Sequence, residues 1–329
     1  MKSRELEGLD HDSVRCDGEA LTRRAFVTTA ALLALFPPLD AARAAGIGVT
    51  EIAPGIFVHQ GKHALVNAEN AGDIANAAIV VGTGSVAVID TSTSAKLGAA
   101  IRDAARAISA KPIRYVINTH MHPDHVLGNA AFDGGGTEFV AHHKMARGLS
   151  ARADRYLRNA REAIGEDAFE GTRIIMPTMP VTGTLTLDLG GRTLALTARA
   201  TAHTDNDLTI LDSATGTLFL GDLLFSGHVP TLDGSILGWL KLIANMKQES
   251  AARVVPGHGP PSMPWPDALA PLERYLQAVT DDVRVAIKAG KTMSEATATA
   301  GQSEKTKWEL FDEHHIRNVT AAFAELEWE

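Results

Sequence analysis

The stretch HMHPDH at residues 120–125 places four potential metal ligands within six residues, directly after an apolar run that predicts a buried strand. Two histidines one residue apart on an extended segment point to the same side, so His120 and His122 can hold one ion together. Asp124 and His125 fall in the following turn and suit a second ion. Unpaired, so many polar groups would cost on the order of several kcal/mol on burial. The pattern therefore predicts a metal centre.

Three later residues complete the candidate ligand set. Asp222 ends the apolar run Leu218–Gly221, where a carboxylate needs a partner or a metal. His258 lies between two glycines, which allow close approach of the backbone to a neighbouring group. His203 follows a run of small residues and precedes another strand-like segment. A lone buried histidine is usually a hydrogen-bonded core residue, but the three residues together indicate ligands.

The order of apolar patterns predicts an α/β fold. Strand-like runs come first, followed by a helix with apolar residues at helical spacing from Leu97 to Ile108. A polar helix is predicted over residues 143–166, and a second set of strands and helices follows. This order suggests two sheets packed together with helices outside. Residues 266–329 are predicted to form a helical C-terminal extension of a domain that spans 45–329.

Composition narrows the class of protein. The chain has 329 residues, of which 45% are hydrophobic and 21% charged, which is typical of a globular protein with a large core. A formal net charge of −8 gives no electrostatic basis for binding nucleic acid. We therefore expect a small-molecule substrate and no nucleic acid partner.

The N-terminus predicts export. An Arg23-Arg24 pair precedes a short apolar run, and Ala42-Arg43-Ala44 is a small-x-small cleavage pattern. Residues 1–44 are therefore predicted to be a twin-arginine signal peptide, cleaved after Ala44, that directs the protein to the periplasm. The apolar run is too short to span a bilayer, so no membrane span is expected in the mature form. The only cysteine, Cys16, lies in this leader, which leaves His, Asp and Glu as metal ligands.

The motif, followed in order by His203, Asp222 and His258, resembles the metallo-β-lactamase superfamily over about residues 51–265. The resemblance implies an αββα sandwich with two Zn²⁺ ions at the sheet edge, although Fe and Mn ions also accept these ligands. It implies that Asp222 bridges the two ions. It also implies two further sets of ligands: a first set of His120, His122 and His203, and a second set of Asp124, His125 and His258.

The implied activity is hydrolysis of a carbonyl compound of the ester, thioester, lactone or lactam class. A hydroxide activated by the metals would attack the carbonyl, and Asp124 would orient it and pass its proton to the leaving group. His228, six residues beyond Asp222, is expected either to donate a hydrogen bond to substrate or to be a solvated loop residue. Asp90 is expected to be a structural carboxylate that holds the histidine loop.

A narrower resemblance links residues 221–230 and 317–329 to the exported SoxH-like group of zinc metallohydrolases. That group is associated with quinoprotein relay systems, which implies a periplasmic quinoprotein system as partner. Specificity is expected to lie in the loops at 61–75, 142–180 and 226–240.

Two other functions stay open. One is an iron-dependent persulfide-type oxidoreductase on the same fold, against which the full ligand set argues, because such enzymes use one metal and fewer ligands. A flavin-linked di-iron enzyme is disfavoured because it would carry Glu in place of His122. The other is a metal-bearing accessory factor of a quinoprotein system that binds without turnover.

Overall fold

Two β-sheets form the centre of the protein in a computed structural model that describes residues 46–329. The predicted signal peptide lies outside the described residues. The seven strands of the first sheet lie in chain order: β1 (Thr50–Ala53), β2 (Ile56–His59), β3 (Ala77–Val81), β4 (Val86–Ile89), β5 (Ile113–Ile117), β6 (Glu138–His142) and β7 (Met179–Val181). The five strands of the second sheet are β8 (Thr184–Asp188), β9 (Thr193–Ala198), β10 (Leu208–Asp212), β11 (Thr217–Phe225) and β12 (Arg253–His258).

Within each sheet, the pairing of neighbouring strands changes once from antiparallel to parallel. Neighbours from β1 to β4 are antiparallel, and neighbours from β4 to β7 are parallel. In the second sheet, only β11 and β12 pair in parallel. The helices are α1 (Ala95–Ile108), α2 (Pro123–Val126), α3 (Met145–Ile164), α4 (Glu166–Phe169), α5 (Ile236–Met246), α6 (Ala270–Lys288), α7 (Met293–Thr299) and α8 (Phe311–Leu326).

Apolar layers show how these elements pack. Residues from both sheets, such as Ile117 and Phe219, share one buried cluster, so the sheets face each other. Ile101 of α1 packs on the outer face of the first sheet. Trp239 of α5 and Leu272 of α6 pack on the outer face of the second sheet. The predicted αββα sandwich is confirmed.

The C-terminal helices α6, α7 and α8 contribute to the same apolar cluster as the second sheet. Asn318 of α8 is buried, and its side chain accepts a hydrogen bond from Leu232 N at 2.9 Å and donates to Pro230 O at 2.6 Å. The last helix therefore fixes the loop that precedes α5. None of the helices within residues 46–329 has the length and apolar character that crossing a membrane requires.

Strand β11 differs from the sequence prediction. We expected the strand to end at Asp222, but it continues to Phe225, and all its residues are buried. Its pairing with β12 shifts register between Phe219 and Gly221 and again between Gly221 and Phe225. Asp222 lies within the second of these shifts, and such irregularities re-aim side chains within a strand.

Candidate metal centre

The HMHPDH stretch begins after β5 and continues into α2. Residues 118–122 continue past the end of β5, and His122 precedes the helix with extended backbone angles. Pro123 occupies the first helical position, where its fixed φ angle favours a helix start and its missing N–H is not needed. Beyond this change from extended chain to helix, Asp124 and His125 belong to a different group of candidate ligands from His120 and His122, although the rings of His120 and His125 are only 4.3 Å apart.

The structure brings all seven predicted ligands together in two groups. Within each group, one ligand atom per residue lies within 4.8 Å of every other. His122 Nδ1 and His203 Nε2 are 2.9 Å apart. Asp124 Oδ2 lies 3.3 Å from His258 Nε2 and 3.6 Å from His125 Nε2. The first group holds His120, His122, His203 and Asp222, and the second holds Asp124, His125 and His258.

Asp222 lies between the groups and directs one oxygen to each. Its Oδ2 is 3.6 Å from His120 Nε2 and 3.4 Å from His203 Nε2. Its Oδ1 is 3.1 Å from His125 Nε2 and 3.4 Å from His258 Nε2. This is the geometry that a carboxylate bridging two cations requires. A Cβ on Gly257 would lie 2.0 Å from Asp222 Oδ1, so only glycine leaves room for the carboxylate here.

Unpaired polar atoms test whether cations fit this site. His120 Nε2, His125 Nε2 and Asp222 Oδ1 are buried and have no hydrogen-bond partner among the described residues. Buried polar atoms are rarely left unpaired in proteins. Ligand atoms around a tetrahedral zinc ion with bonds of about 2.0–2.1 Å lie roughly 3.3 Å apart, close to the separations around Asp222. The donor set therefore fits divalent cations held by imidazole and carboxylate.

Electrostatics in the second group of ligands favour positive charge, whereas burial lowers the pKa of His120 and His203 in the first group. Burial lowers the pKa of His125, but the surrounding carboxylates, Asp222 first among them, raise it well above its usual value. Burial also lowers the pKa of His258, yet Asp222 and Asp124 raise it to about 9. Burial raises the pKa of Asp222, but the charges of His258 and His125 bring it well below its usual range. Cations at this site satisfy the same carboxylates.

Asp90 supports ligands of both groups from the buried side. Its Oδ2 accepts a hydrogen bond from His125 Nδ1 at 2.9 Å and from Thr119 Oγ1 at 2.7 Å. His120 Nδ1 in turn lies 3.1 Å from Thr119 Oγ1. These contacts leave Nε2 of both histidines as the atom that could bind a metal. The predicted structural role of Asp90 is confirmed.

Backbone carbonyls orient two more ligands. His203 Nδ1 donates to Thr231 O at 2.7 Å, and His258 Nδ1 donates to Ile74 O at 2.9 Å. Asp207 fixes the turn after His203 by accepting hydrogen bonds from Thr204 N and Oγ1. Burial raises the pKa of Asp207 to about 8 despite these bonds.

Asp233 supports His122 and was not found from the sequence. His122 Nε2 donates to Asp233 Oδ2 at 3.0 Å, which leaves Nδ1 as the ligand atom. Arg152 also hydrogen-bonds to Asp233 Oδ2, and Arg317 approaches Asp233 Oδ1 at 3.6 Å. Burial raises the pKa of Asp233, but His122 and Arg152 lower it below its usual range. The loop at 226–240 was expected to matter, but nothing in its sequence distinguishes this aspartate.

The sequence is similar to that of a known protein family. A sequence profile of the metallo-beta-lactamase superfamily matches residues 71–258. The chain belongs to this superfamily. Its members are mostly metal-dependent hydrolases, and the fold together with the His and Asp cluster indicates a divalent metal. A comparison with curated proteins found no similar sequence.

Solved structures share the fold of this superfamily member. A metallo-beta-lactamase from Pontibacter korlensis is 20% identical, with a TM-score of 0.57 over 70% of this chain and 99% of that chain. A metallo-beta-lactamase from Erythrobacter litoralis is 19% identical, with a TM-score of 0.54 over 70% and 96% of the two chains. A double mutant of the sec-alkyl sulfatase PisA1 is 15% identical, with a TM-score of 0.63 over 87% of this chain and 51% of that one.

A cavity of about 590 Å³ opens beside the two ligand groups. His122 and Asp124 line it from the metal centre. All three loop regions expected to carry specificity contribute, through Val66, one face of α3 and the segment with Asp233. Two contributors were not expected: Thr93 and Arg317.

His228 is buried, so it is not the solvated loop histidine that was one expectation. Its ring lies 5.0 Å from that of His258 and 5.3 Å from that of Phe225. Burial and the charge of His258 lower the pKa of His228 to about 3, so its imidazole is neutral. It does not line the 590 Å³ cavity. Its contact with substrate stays a prediction.

Proposed function

We propose that this superfamily member is an exported hydrolase with two divalent metal ions, zinc by preference, that cleaves an ester, thioester, lactone or lactam. The observation that carries the proposal is the position of Asp222, whose two oxygens face two different sets of histidines. A single metal would leave one of these oxygens and the second set of ligands without a cation. The proposal therefore requires both sites to bind metal.

The residues divide the chemistry among them. When bound, two divalent cations lower the pKa of a water molecule and polarise a carbonyl oxygen. Asp124 lines the cavity, and its Oδ2 lies 3.3 Å from His258 Nε2. Its position on the cavity wall supports a role in orienting the attacking water and in carrying its proton to the leaving group. Asp90 and Asp233 hold His125 and His122 in fixed orientations, so little rearrangement accompanies the reaction.

Metal content and a substrate panel test this function. The mature protein, purified without chelator, is expected to contain about two zinc ions per chain by mass spectrometry. A panel of thioesters, lactones, esters and β-lactams should then contain at least one compound that the protein hydrolyses. A single iron per chain would favour the persulfide-type oxidoreductase, and metal-loaded protein that turns over nothing would favour the accessory factor.

A variant of Asp124 tests the mechanism separately. Asp124→Ala should keep the fold, bind less of the second metal and lose about 100-fold or more of its hydrolytic rate. Asp133→Ala is the matched control, because Asp133 is an exposed carboxylate paired with Arg173. Unchanged turnover in Asp124→Ala would contradict the assigned role.

Export by the twin-arginine route is part of the proposal and is supported by the Arg23-Arg24 pair and the cleavage pattern. Substitution of both arginines by lysine should prevent mature protein from reaching the periplasm. Normal periplasmic protein in that variant would refute this route. The narrower SoxH-like resemblance supports a periplasmic quinoprotein system as partner, which co-purification of a quinone-containing protein from a periplasmic extract would test.

A further inference from the structure

One wall of the cavity carries arginines beyond the one that pairs with Asp233 beside the metal centre. Three arginines and two aspartates line the cavity, and Asp124 already belongs to the metal ligands. Arg152 is committed to Asp233, with which it forms a hydrogen-bonded ion pair. The remaining arginines, Arg155 and Arg317, are both exposed.

Helix α3 directs a defined face into the cavity. Arg152, Arg155, Tyr156 and Asn159 line the cavity, and three- and four-residue steps along a helix place side chains on one face. Arg158 is also exposed, but it does not line the cavity. No carboxylate within residues 46–329 lies close enough to Arg155 to form an ion pair, whereas Arg152 on the same face has one. Arg155 therefore has no carboxylate partner among the described residues. Its guanidinium carbon lies 5.9 Å from the centroid of the Tyr156 ring, and Asn159 is one helical turn further along the same face.

Arg317 reaches the cavity from α8, which lies beyond the residues that match the superfamily profile. Its contact with Asp233 is a long 3.6 Å, and its side chain is 61% exposed. Such an exposed pair is held weakly, so Arg317 is free to turn to another anion. Guanidinium groups bind carboxylates with paired hydrogen bonds.

We propose that Arg155 and Arg317, with the Asn159 amide, bind a carboxylate of the substrate, so that the natural substrate is an anionic acyl compound. The inference rests on the proposed function, because the same cavity must place a carbonyl beside His122 and Asp124. The carboxylate is held at the helical wall, and the scissile carbonyl faces the metal ligands. The binding site adds specificity for substrate without taking part in bond cleavage.

Two matched esters test the proposal. Mono(para-nitrophenyl) glutarate and para-nitrophenyl pentanoate share a five-carbon acyl chain and differ in the terminal carboxylate. We expect the protein to have a higher kcat/KM for the glutarate ester. Arg155→Ala and Arg317→Ala should each reduce this preference about tenfold, the equivalent of about 1.4 kcal/mol, because each variant loses more activity on the glutarate ester than on the pentanoate ester. Arg158→Ala, on the same helix but not lining the cavity, should leave the preference unchanged.

A binding measurement separates this inference from the hydrolase function. Calorimetric titration of the metal-loaded protein with glutarate should show binding that weakens about tenfold in Arg155→Ala and is unchanged in Arg158→Ala. If neither ester is cleaved but glutarate binding depends on Arg155, the inference stands and the hydrolase function fails for these esters. Equal glutarate affinity in wild type, Arg155→Ala and Arg317→Ala would overturn the inference, even if both esters are cleaved.

Discussion

Asp90 and Asp233 each accept a hydrogen bond from a metal-centre histidine, but their environments are opposite. Asp90 is 2% exposed, and among the described residues its carboxylate accepts hydrogen bonds only from His125 and Thr119, so its task is structural. The side chain of Asp233 is 16% exposed, lines the cavity and shares its oxygens between His122 and two arginines. Under the proposed function, the difference means that one wall of the centre is fixed by buried contacts, while the other would join metal binding to substrate recognition.

The largest effect should come from a ligand rather than from either supporting aspartate. Asp222→Ala removes the carboxylate that faces both groups, and we expect loss of both metals. Bound metals stabilise a hydrolytic transition state by roughly several kcal/mol, so their loss should reduce the rate on the order of 1000-fold. Metal analysis and hydrolysis of the best panel substrate provide the measurement. If Asp90→Asn proved more damaging than Asp222→Ala, the bridging assignment would be wrong.

Asp90→Asn should have the next largest effect, because Asp90 supports His125 directly and His120 through Thr119. Loss of such a supporting carboxylate costs about 10–100-fold in metal affinity. Competition with a zinc-binding dye should show weakening at both sites. Asp212→Asn is the control, since Asp212 is equally buried but pairs with Arg192. Similar zinc affinities in Asp90→Asn and Asp212→Asn would show that Asp90 has no special role in supporting the ligands.

Asp233→Asn should have a smaller effect on metal binding, limited to one site. The amide oxygen can still accept the hydrogen bond from His122, so we expect a loss of zinc affinity of about tenfold or less. Because the substitution removes a negative charge beside Arg152 and Arg317, the preference for the glutarate ester should increase. Equal weakening of both zinc sites would show that Asp233 acts like Asp90, so the two aspartates would not differ in how they support the metal centre.

Asn318→Ala should have the smallest effect on catalysis and act on stability. Its side chain pairs with Leu232 N and Pro230 O, close to the carbonyl of Thr231 and to Asp233. Leaving these buried groups unpaired should lower the free energy of unfolding by about 1–3 kcal/mol. Denaturant unfolding measures this loss, and zinc titration should show a change below tenfold. A full loss of zinc would mean that α8 controls the centre more directly than its contacts indicate.

Several features could be predicted from the sequence because they are local. The spacing of His120 and His122 after an apolar run, and carboxylates at the ends of such runs, indicate ligands without a structure. Apolar periodicity likewise predicts helices and strands, and their order predicts two sheets with helices outside. The superfamily assignment agrees with these patterns. Each of these depends on residues that are near one another in the chain.

Only the tertiary structure decided which groups surround those ligands. Asp233 lies 111 residues from His122 in the chain, and Arg317 comes from the last helix. Arginines on a helix look like an ordinary solvated face, so their sequence carries no sign of a cavity. The register shifts of β11, which place Asp222 inside a strand, also arise from pairing with β12. The sequence thus determines the candidate ligands, whereas folding determines their orientation, their supporting contacts and the charge of the cavity they face.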